Sequence, residues 1–557
     1  MKRLLLMLLP LAVLCCGKGE EQQTGDALGV PRSVALHDAA ETSLVFQWKK
    51  VEGAKGYNWE LNEKESGEIA GVGTTAGRNV EVTGLRKGTT YLFRVRAEAG
   101  SLKSDYCEPV EATTLGTAGE DPSPADAVCV DAPIAIKFDS APVLGSSGLV
   151  RIYKADGTEV DRIDLADMAK VTVLESGIMV PKEQITSATA RHTFMDVLSC
   201  GGRTRQVHYT PLKVKGNTLE IRHHSGVLDF GSEYYVTLDE SVCGKAVGAG
   251  ERKIFTKAAP SSAKEIVVDA DGEGDFCTVQ GALSYADKSG ATIAIAPGTY
   301  EEMLYLRDKA GIRLTSAGRN TVKIVYPNSE IYMNGSSARC LFLVENCDNL
   351  VVEKITVENS FYASDHKGQA ECIYFNSGNN THKLTIDDCS LISWQDTFLC
   401  KGSVWVHNSL IAGHCDFIWG YPKACFFDNC EIRSRAAGYI VQARIQSASE
   451  KGFVFHNCNL TAEDGVSANS VYLARSAGQT DCFDNVVYVN CTMSSAIRTE
   501  GWLGNPAPNP AVPTATSGWR EYGSKGAGAS SARNSYGKML TGAEASLYCN
   551  REDVLGW

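Results

Sequence analysis

The stretch that decides the fold spans residues 383–430 and reads KLTIDDCSLISWQDTFLCKGSVWVHNSLIAGHCDFIWGYPKACFFDNC. Short apolar runs alternate in it with turns of Asn or Asp followed by cysteine, and the same pair recurs before and after it. The recurring cysteines are Cys347, Cys389, Cys430, Cys458 and Cys491, at intervals of 42, 41, 28 and 33 residues. Such intervals fit one or two irregular coils of a solenoid whose neighbouring coils bury each other. A parallel β-helix is the first interpretation, and a β-propeller, with a more regular period of about 40–50 residues, is the second.

Two aspartates inside this stretch are candidates for chemistry. Asp396, in the motif WQDT, and Asp416, in the motif DFIWG, are 20 residues apart. One coil of a parallel β-helix returns the chain to the same column, roughly 4.8 Å away. Two carboxyl groups that close cannot both ionise freely, so one can act as an acid and the other as a nucleophile or base. Arg444 and Arg475 follow Asp416, and an arginine can keep a nearby carboxylate ionised.

Glutamines occur at similar intervals around the aspartates. Gln369 precedes Gln395 by 26 residues, Gln395 precedes Asp416 by 21, and Asp416 precedes Gln442 by 26. All three intervals are close to one coil, which predicts a column of side chains across neighbouring coils. Each glutamine amide offers two N–H donors, and donors beside a carboxylate pair are what an oxyanion needs.

The bulk composition indicates a soluble protein of several domains. At 557 residues, 43% hydrophobic and 22% charged, the chain exceeds what one core can hold, and we expect three domains. The 53 glycines suit a turn-rich β protein. The formal charge of −12 argues against a nucleic-acid partner. An acidic ligand would need local basic groups.

The N-terminus has the features of an export signal. Residues 2–3 are basic, residues 4–14 are apolar, and Cys15 and Cys16 follow. We predict a lipoprotein-type signal peptide at residues 1–16 and a polar tether at residues 17–30. A plainly cleaved signal is the alternative, because neither cysteine follows the usual small residue. The prediction is an exported outer-membrane lipoprotein, at the cell surface or in the periplasm, that meets the membrane only through its lipid.

Two β-sandwich modules are predicted before the solenoid. Residues 31–115 resemble a fibronectin type III domain, and residues 125–258 resemble the immunoglobulin-like modules of bacterial surface proteins. A less regular β domain is the alternative for the second module. The core residues expected in the first are Trp48, Tyr57, Leu85, Tyr91 and Val95. Residues 264–557 form the third domain, with a helix at residues 279–286 that could cap the β-helix. The predicted fold class is all-β: a right-handed parallel β-helix catalytic domain preceded by two β-sandwich modules.

The 19 cysteines would suggest disulfides in an exported chain. Their repeated position after Asn or Asp instead predicts stacked, inward-pointing free thiols, because buried cysteine behaves as a small hydrophobe. No CxxC pair and no His/Cys spacing indicates a metal site, so we predict neither metal nor cofactor.

The third domain resembles the pectin methylesterases, carbohydrate esterase family 8. The matching motifs occur in the family's order over about 260 residues. They are DG (271–272), GDF (274–276), GTY (298–300), GQA (368–370), QDT (395–397), DFIWG (416–420), QAR (442–444), YLAR (472–475), GW (501–502), EY (521–522) and GAGA (526–529).

The resemblance implies roles for the matched residues. Asp416 would be the nucleophile that attacks the methyl ester carbonyl. Asp396 would be the general acid that protonates departing methanol and then the base that activates water. Gln369 and Gln395 would bind the oxyanion, and Arg475 would orient Asp416 and keep it ionised. No metal would be required.

The resemblance also implies a pectic polysaccharide as substrate. We predict that the protein is a monomer. Trp419, Gln442 and Arg444 are the predicted substrate-binding residues. The family usually has Arg-Pro-Trp where this chain has Arg-Ser-Ala at residues 475–477. The missing tryptophan would normally contact the sugar, and Trp419 and Trp394 are the candidates to compensate.

Three alternatives to an esterase stay open. A β-helix polysaccharide lyase would need a calcium-binding carboxylate cluster and a basic residue. A polygalacturonase would need carboxylates placed for an inverting attack by water. The nearby acidic pair is Asp387 and Asp388, in an Asp-Cys turn. A non-catalytic pectin-binding surface protein is favoured by the missing tryptophan and the two spacer modules.

Overall fold

The computed structural model describes residues 28–557, apart from residues 41–42, 87, 115–125, 167–170, 174–178, 182–193, 249–251, 363–367 and 379. The predicted signal peptide and most of the predicted tether lie outside the described residues. The chain divides into two compact units, residues 1–120 and 121–557. No helix in the described part of the chain is long and apolar enough to cross a membrane.

The first unit is a sandwich of two antiparallel sheets. Its strands are β1 (Ala35–Ala39), β2 (Ser43–Gln47), β3 (Gly56–Glu63), β4 (Ile69–Thr75), β5 (Asn79–Thr83), β6 (Thr90–Ala99), β7 (Leu102–Lys103) and β8 (Val110–Thr113). One sheet has the order β1-β2-β5, and the other has the order β4-β3-β6-β7 with β8 also pairing with β6. Buried and less buried side chains alternate along β2 and β6, so one face of each sheet faces the core. All five predicted core residues are buried.

The second unit begins with smaller antiparallel sheets. Its first elements are β9 (Ile134–Lys137), β10 (Leu149–Lys154), β11 (Glu159–Asp164), β12 (Val171–Val173), β13 (Met179–Pro181), β14 (Phe194–Cys200), β15 (Arg203–Tyr209), β16 (Leu212–Lys215), β17 (Thr218–Ile221), β18 (Glu233–Leu238), α1 (Glu240–Cys243) and β19 (Lys253–Phe255). The two larger sheets, β11-β10-β18-β19 and β16-β17-β9, enclose one apolar core. The hairpin β14–β15 packs on the following domain, where Arg205 donates to the carbonyls of Leu304 and Leu341.

The rest of the second unit is a parallel β-helix, as predicted. Its 23 strands all pair in parallel, mostly with the strand three positions along, so a typical coil contributes three strands. They are β20 (Glu265–Val268), β21 (Ala291–Ile295), β22 (Gly298–Tyr300), β23 (Leu304–Arg307), β24 (Ile312–Ser316), β25 (Val322–Tyr326), β26 (Phe342–Glu345), β27 (Leu350–Glu353), β28 (Thr356–Asn359), β29 (Ile373–Asn376), β30 (Lys383–Asp387), β31 (Ser390–Ile392), β32 (Phe398–His407), β33 (Leu410–Asp428), β34 (Glu431–Ala443), β35 (Gly452–His456), β36 (Asn459–Ala462), β37 (Val471–Arg475), β38 (Val486–Val489), β39 (Thr492–Met493), β40 (Trp502–Leu503), β41 (Trp519–Tyr522) and β42 (Gly537–Met539).

Short helices flank the coils. They are α2 (Val279–Tyr285), α3 (Ser336–Arg339), α4 (Gly542–Ala545), a 3-10 turn (Ser546–Tyr548) and α5 (Arg551–Leu555). The predicted helix at residues 279–286 is α2, which ends one residue earlier. The Thr278 hydroxyl caps its start by accepting a hydrogen bond from the Gly281 N–H.

The Asn/Asp-Cys turns explain how the coils repeat. The residue before each recurring cysteine has a left-handed backbone, with φ between 50° and 55°. Asn and Asp tolerate this conformation better than other non-glycine residues. The five cysteines that follow are buried and free. Four of their thiols also donate to a carbonyl of the preceding coil, as Cys430 does to Val406 at 3.3 Å. The predicted stack of inward-pointing thiols is therefore confirmed.

Candidate active site

The backbone places the two candidate aspartates on successive coils. Asp396 lies just before β32, and Asp416 lies inside β33. Phe398 pairs with Ile418 and Gln395 bridges to Cys415, so positions 396 and 416 stack in one column of the β-helix, one coil apart. Both aspartates are buried, and both have a left-handed backbone, with φ of 66° and 45°. Aspartate tolerates this conformation, as it does at the Asp-Cys corner.

Asp416 is held by an arginine fork. The Nε of Arg475 donates to Oδ1 of Asp416 at 2.7 Å, and the Nη2 of Arg475 donates to Oδ2. The Nε2 of Gln442 also donates to Oδ2, at 2.9 Å. This hydrogen bonding with Asp416 raises the pKa of Arg475. A guanidinium forked onto both oxygens stabilises the ionised carboxylate and fixes its direction.

Asp396 has different surroundings. Its Oδ2 accepts from Nε2 of Gln369 at 2.9 Å and from Nη2 of Arg339 at 3.1 Å. The same arginine is forked onto Glu371, whose side chain is fully buried. Burial raises the pKa of the Asp396 carboxyl well above its usual range, and the charges of Glu371 and then Asp416 raise it further, against the opposing effect of Arg339. Asp396 is therefore the carboxyl group that keeps its proton.

Two site glutamines are each oriented by a separate arginine. The Oε1 of Gln369 accepts from Nη1 of Arg339. The Oε1 of Gln442 accepts from Nε and Nη2 of Arg444, at 3.1 and 2.6 Å. Because a guanidinium only donates, each amide oxygen must face its arginine. Each amide nitrogen must then face the site.

Gln395 is placed beside Gln369 by the backbone. The two residues form a parallel bridge, which puts them at matching positions on neighbouring coils. The Gln395 side chain is half-buried. Among the described residues, no side-chain hydrogen bond of Gln395 is found, so its N–H donors are free to bind a ligand. The structure thus brings Gln369, Gln395, Asp396 and Asp416 to one place.

The three predicted substrate-binding residues contact the site or one another. Trp419 is 6% exposed, and the Cζ of Arg444 lies 4.9 Å from the centre of its ring. Gln442 is buried and is bonded to Asp416. Gln442 thus contacts the site directly and Trp419 contacts it through Arg444, while their contact with substrate stays a prediction. Trp394 is half-buried beside the site, with the Cζ of Arg435 at 4.2 Å from its ring.

Sequence reasoning missed three residues of this site. Arg339 and Glu371 form the buried ion pair next to Asp396, and Tyr439 lies under Arg475 with its ring centre 4.8 Å from Cζ. Glu371 carried a signal, since it is a charged residue just before the apolar strand β29. Arg339 and Tyr439 carried none, because nothing in their local sequence points to a distant carboxylate.

One group of metal-ligating side chains is found within the described residues, and it consists of Cys129, Asp131 and Cys277. Their ligand atoms lie within 4.8 Å of one another. The Asp131 oxygens already accept from the N–H groups of Cys277 and Thr278 and from the Thr278 hydroxyl. Asp131 therefore anchors the start of α2, and the prediction of no metal stays a prediction.

Comparison with known proteins gives two family matches. The family described as Pectinesterase matches residues 265–551, slightly more than half of the chain. The fibronectin type III domain matches residues 29–113.

The curated relatives have low sequence identity to this chain, but the matched regions are long. A probable pectinesterase A of Aspergillus niger is 28% identical over 311 residues, which cover 54% of this chain and 89% of the relative. Pectinesterase 31 of Arabidopsis thaliana is 28% identical over 258 residues, which cover 43% of this chain and 77% of the relative.

Solved structures are similar over the same region. The crystal structure of the pectin methylesterase from Aspergillus niger is 27% identical, with a TM-score of 0.45, and the match covers 54% of this chain and 95% of that one. A crystal structure of pectin methylesterase in complex with a hexasaccharide is 22% identical, with a TM-score of 0.45, over 53% of this chain and 98% of that one.

Proposed function

The chain belongs to the pectinesterase family, and on this premise we propose that it hydrolyses the methyl esters of polygalacturonate (pectin) and releases methanol. The substrate is a pectic polysaccharide. The catalytic residues are the four that the β-helix brings together, Gln369, Gln395, Asp396 and Asp416, with Arg475 as a positioning residue.

In the first step the Asp416 carboxylate attacks the ester carbonyl carbon. The N–H groups of Gln369 and Gln395 hold the oxyanion that forms, and each such donor is worth roughly 2.7–4 kcal/mol of barrier. Asp396 gives its proton to the departing methoxy oxygen, and methanol leaves. The sugar carboxyl group is then joined to Asp416 as an anhydride.

In the second step Asp396, now ionised, takes a proton from water. The hydroxide adds to the sugar carbonyl and the bond to Asp416 breaks. The sugar leaves as the carboxylic acid, which then loses its proton to solvent. Asp396 ends protonated and Asp416 ends ionised, so the cycle returns to its starting state.

The observation that carries the proposal is the different environment of the two aspartates. Both oxygens of Asp416 accept hydrogen bonds from Arg475, an arrangement that suits a carboxylate nucleophile. Asp396 is buried beside Glu371, which raises its pKa, as an acid at neutral pH requires.

The main experiment measures methanol release from methylated pectin. Asp416→Ala is expected to lower the rate by at least about 10⁴-fold, because the nucleophile is lost while the strand pairing of β33 is kept. Asp387→Ala is the matched control, since Asp387 lies on a neighbouring coil and contacts His407. Methanol release by Asp416→Ala at the wild-type rate would contradict the proposal.

The same assay separates the alternatives. A lyase would create an unsaturated product that absorbs ultraviolet light and would lose activity with a calcium chelator. A polygalacturonase would shorten the chain without releasing methanol, and a binding protein would do neither. We expect methanol without ultraviolet absorbance, and no effect of chelators.

Export, lipid anchoring and a monomeric state remain part of the proposal. Export and lipid anchoring derive from the features of residues 1–16. Incorporation of labelled palmitate into the wild type, and its loss in a Cys15→Ser/Cys16→Ser variant, would support the anchor. Analytical ultracentrifugation of the protein without residues 1–16 tests the monomeric state.

A further inference from the structure

We propose that the buried ion pair of Glu371 and Arg339 is a positioning element for the acid, which keeps the proton on Asp396 and turns the Gln369 amide toward the substrate. This inference rests on the proposed esterase function and deepens it. In the proposed mechanism neither residue attacks the ester, forms a hydrogen bond with it or exchanges a proton with it.

The backbone fixes this pair in place. Arg339 is the last residue of α3, and Glu371 lies just before β29. The N–H of Leu341 donates to the carbonyl of Glu371 at 2.8 Å, and the N–H of Phe342 donates to the carbonyl of Cys372 at 2.8 Å. The two side chains therefore meet as a consequence of coil pairing, and both are buried.

The contacts decide which carboxyl group is ionised. Arg339 makes three N–H contacts with Glu371, at 2.8–3.1 Å, and one with Asp396, at 3.1 Å. One guanidinium cannot balance two buried carboxylates. Burial raises the pKa of Glu371, against the hydrogen bonds from Arg339, but the pKa of Asp396 is raised well above its usual range, so the better-bonded Glu371 is the group that carries the negative charge. Asp396 is left as the protonated partner.

Other charged and titratable groups face Asp396 as well. Asp416 and Arg444 act on it in opposite directions, and Cys415 precedes Asp416 on the next coil. Glu330 lies 3.9 Å from Arg339, and Arg475 forms an ion pair with Asp416. Arg475 thus compensates the charge of Asp416. Glu371 is therefore the carboxylate whose charge acts most strongly on Asp396.

The pair has a function in both steps. Before methanol leaves, the Glu371 charge disfavours early loss of the Asp396 proton. After the transfer, the new Asp396 anion has Arg339 within 3.1 Å, and the Glu371 charge makes it a stronger base toward water. Throughout, Arg339 holds the Gln369 oxygen, so that the Gln369 N–H groups point to the site.

The test is the pH profile of kcat/KM for methanol release by Glu371→Gln. Removing the Glu371 charge lets Asp396 ionise more easily, with Arg339 as its partner. The alkaline limb of the profile is therefore expected to move to lower pH by at least about one unit. An unchanged alkaline limb in a folded variant would overturn the inference.

The matched control is Glu521→Gln. Glu521 is as buried as Glu371 and is forked by Arg533, at 2.8 and 3.2 Å, on a later coil. A purely structural effect of losing a buried carboxylate would lower the melting temperature of both variants. Only Glu371→Gln is expected to shift the alkaline limb, and an equal shift in the control would also overturn the inference.

A second variant keeps the inference testable if Glu371→Gln does not fold. Arg339→Lys retains both charges but removes the Nη1 donor that orients Gln369, together with the fork on Glu371. We expect kcat to fall at least about tenfold with little change in KM and with the alkaline limb within about half a unit of wild type. Wild-type kcat in this variant would refute the positioning function. Absence of methanol release by the wild-type protein would instead refute the proposed function.

Discussion

Two neighbouring coils of the β-helix carry the same residue, aspartate, in opposite electrostatic settings. On the coil of β33, Asp416 meets an arginine fork and a glutamine N–H. On the preceding coil, Asp396 shares its arginine with the buried Glu371. The difference in setting does not come from the aspartates themselves. Both are buried, both have a left-handed backbone, and they lie one coil apart. It lies in which charges the adjacent coils place beside each of them.

This comparison shows how a solenoid can build an acid and a nucleophile from one side-chain type. Stacking supplies the short distance between the aspartates, and neighbours from other coils supply the asymmetry. Each aspartate also has a glutamine held by its own arginine, Gln369 by Arg339 and Gln442 by Arg444. The following predictions test whether the two halves differ in function as they differ in structure.

The largest expected effect separates the nucleophile from the acid through the leaving group. On methylated pectin, Asp416→Asn is expected to lose at least about 10⁴-fold in kcat/KM, and Asp396→Asn about 10²–10⁴-fold. On an aryl ester of galacturonate, whose leaving group needs no proton, the acylation step of Asp396→Asn should recover, while Asp416→Asn should stay inactive. Release of the aryl alcohol in a stopped-flow experiment measures that step. Equal losses on both esters for both variants would contradict the assignment of roles.

The next effect concerns the two oxyanion donors. Gln369→Ala and Gln395→Ala are each expected to lower kcat about 10²–10³-fold with KM nearly unchanged, since the oxyanion forms only in the transition state. Steady-state kinetics on methylated pectin measure this, with Gln446→Ala as a control because Gln446 contacts the Arg444 carbonyl instead of an aspartate. A rise in KM without a loss of kcat would identify these amides as ground-state binders.

The two aspartates should also affect stability in opposite directions. The pKa of Asp396 is raised in the folded protein, so folded Asp396 keeps a proton that the unfolded chain releases above about pH 4. Its contribution to stability is therefore lost as pH rises from there through the folded pKa. Asp396→Asn should raise the free energy of unfolding at alkaline pH by about 1–2 kcal/mol relative to wild type, and less at pH 4.

Asp416→Asn should instead lower the free energy of unfolding by about 1–3 kcal/mol, because Arg475 loses its charged partner. Urea titrations at pH 4 and pH 8 measure both variants. The same sign for the two substitutions would show that the comparison between the coils is wrong.

The smallest expected effect concerns sugar binding beside the pair. Trp394→Ala is expected to raise KM about fivefold, since loss of one aromatic contact costs about 1 kcal/mol, and to leave kcat unchanged, with a small loss of melting temperature because the ring also packs on Arg435. Trp419→Ala is the contrasting variant, because its ring is buried under Arg444. It should lower the melting temperature strongly. Unchanged KM in Trp394→Ala would remove Trp394 from the substrate path.

Some of this structure could be predicted from local patterns. The Asn/Asp-Cys turns give the coil positions because a left-handed corner needs Asn or Asp and the next side chain must point inward. The interval between Asp396 and Asp416 equals one coil, as the pairing of Phe398 with Ile418 shows. By contrast, the 19-residue length of β33 has no counterpart in the local sequence, which contains glycine and proline.

The electrostatics of the site could not be predicted in the same way. Arg339 precedes Asp396 by 57 residues and meets it across the coils. Gln442, expected at the substrate, donates to Asp416 and is oriented by Arg444. Contacts of this kind depend on side-chain rotamers and on irregular coil lengths, which no repeat interval specifies.

The sequence alone determined that the chain coils in parallel, that its thiols point inward and that two aspartates stack one coil apart. These features follow from short-range rules: side-chain alternation, turn chemistry and a roughly constant coil length. Only the tertiary structure decided which aspartate holds a proton. That outcome depends on burial and on charges from distant segments, since the energy of a buried carboxyl group is set by whatever the surrounding coils place within a few ångströms of it.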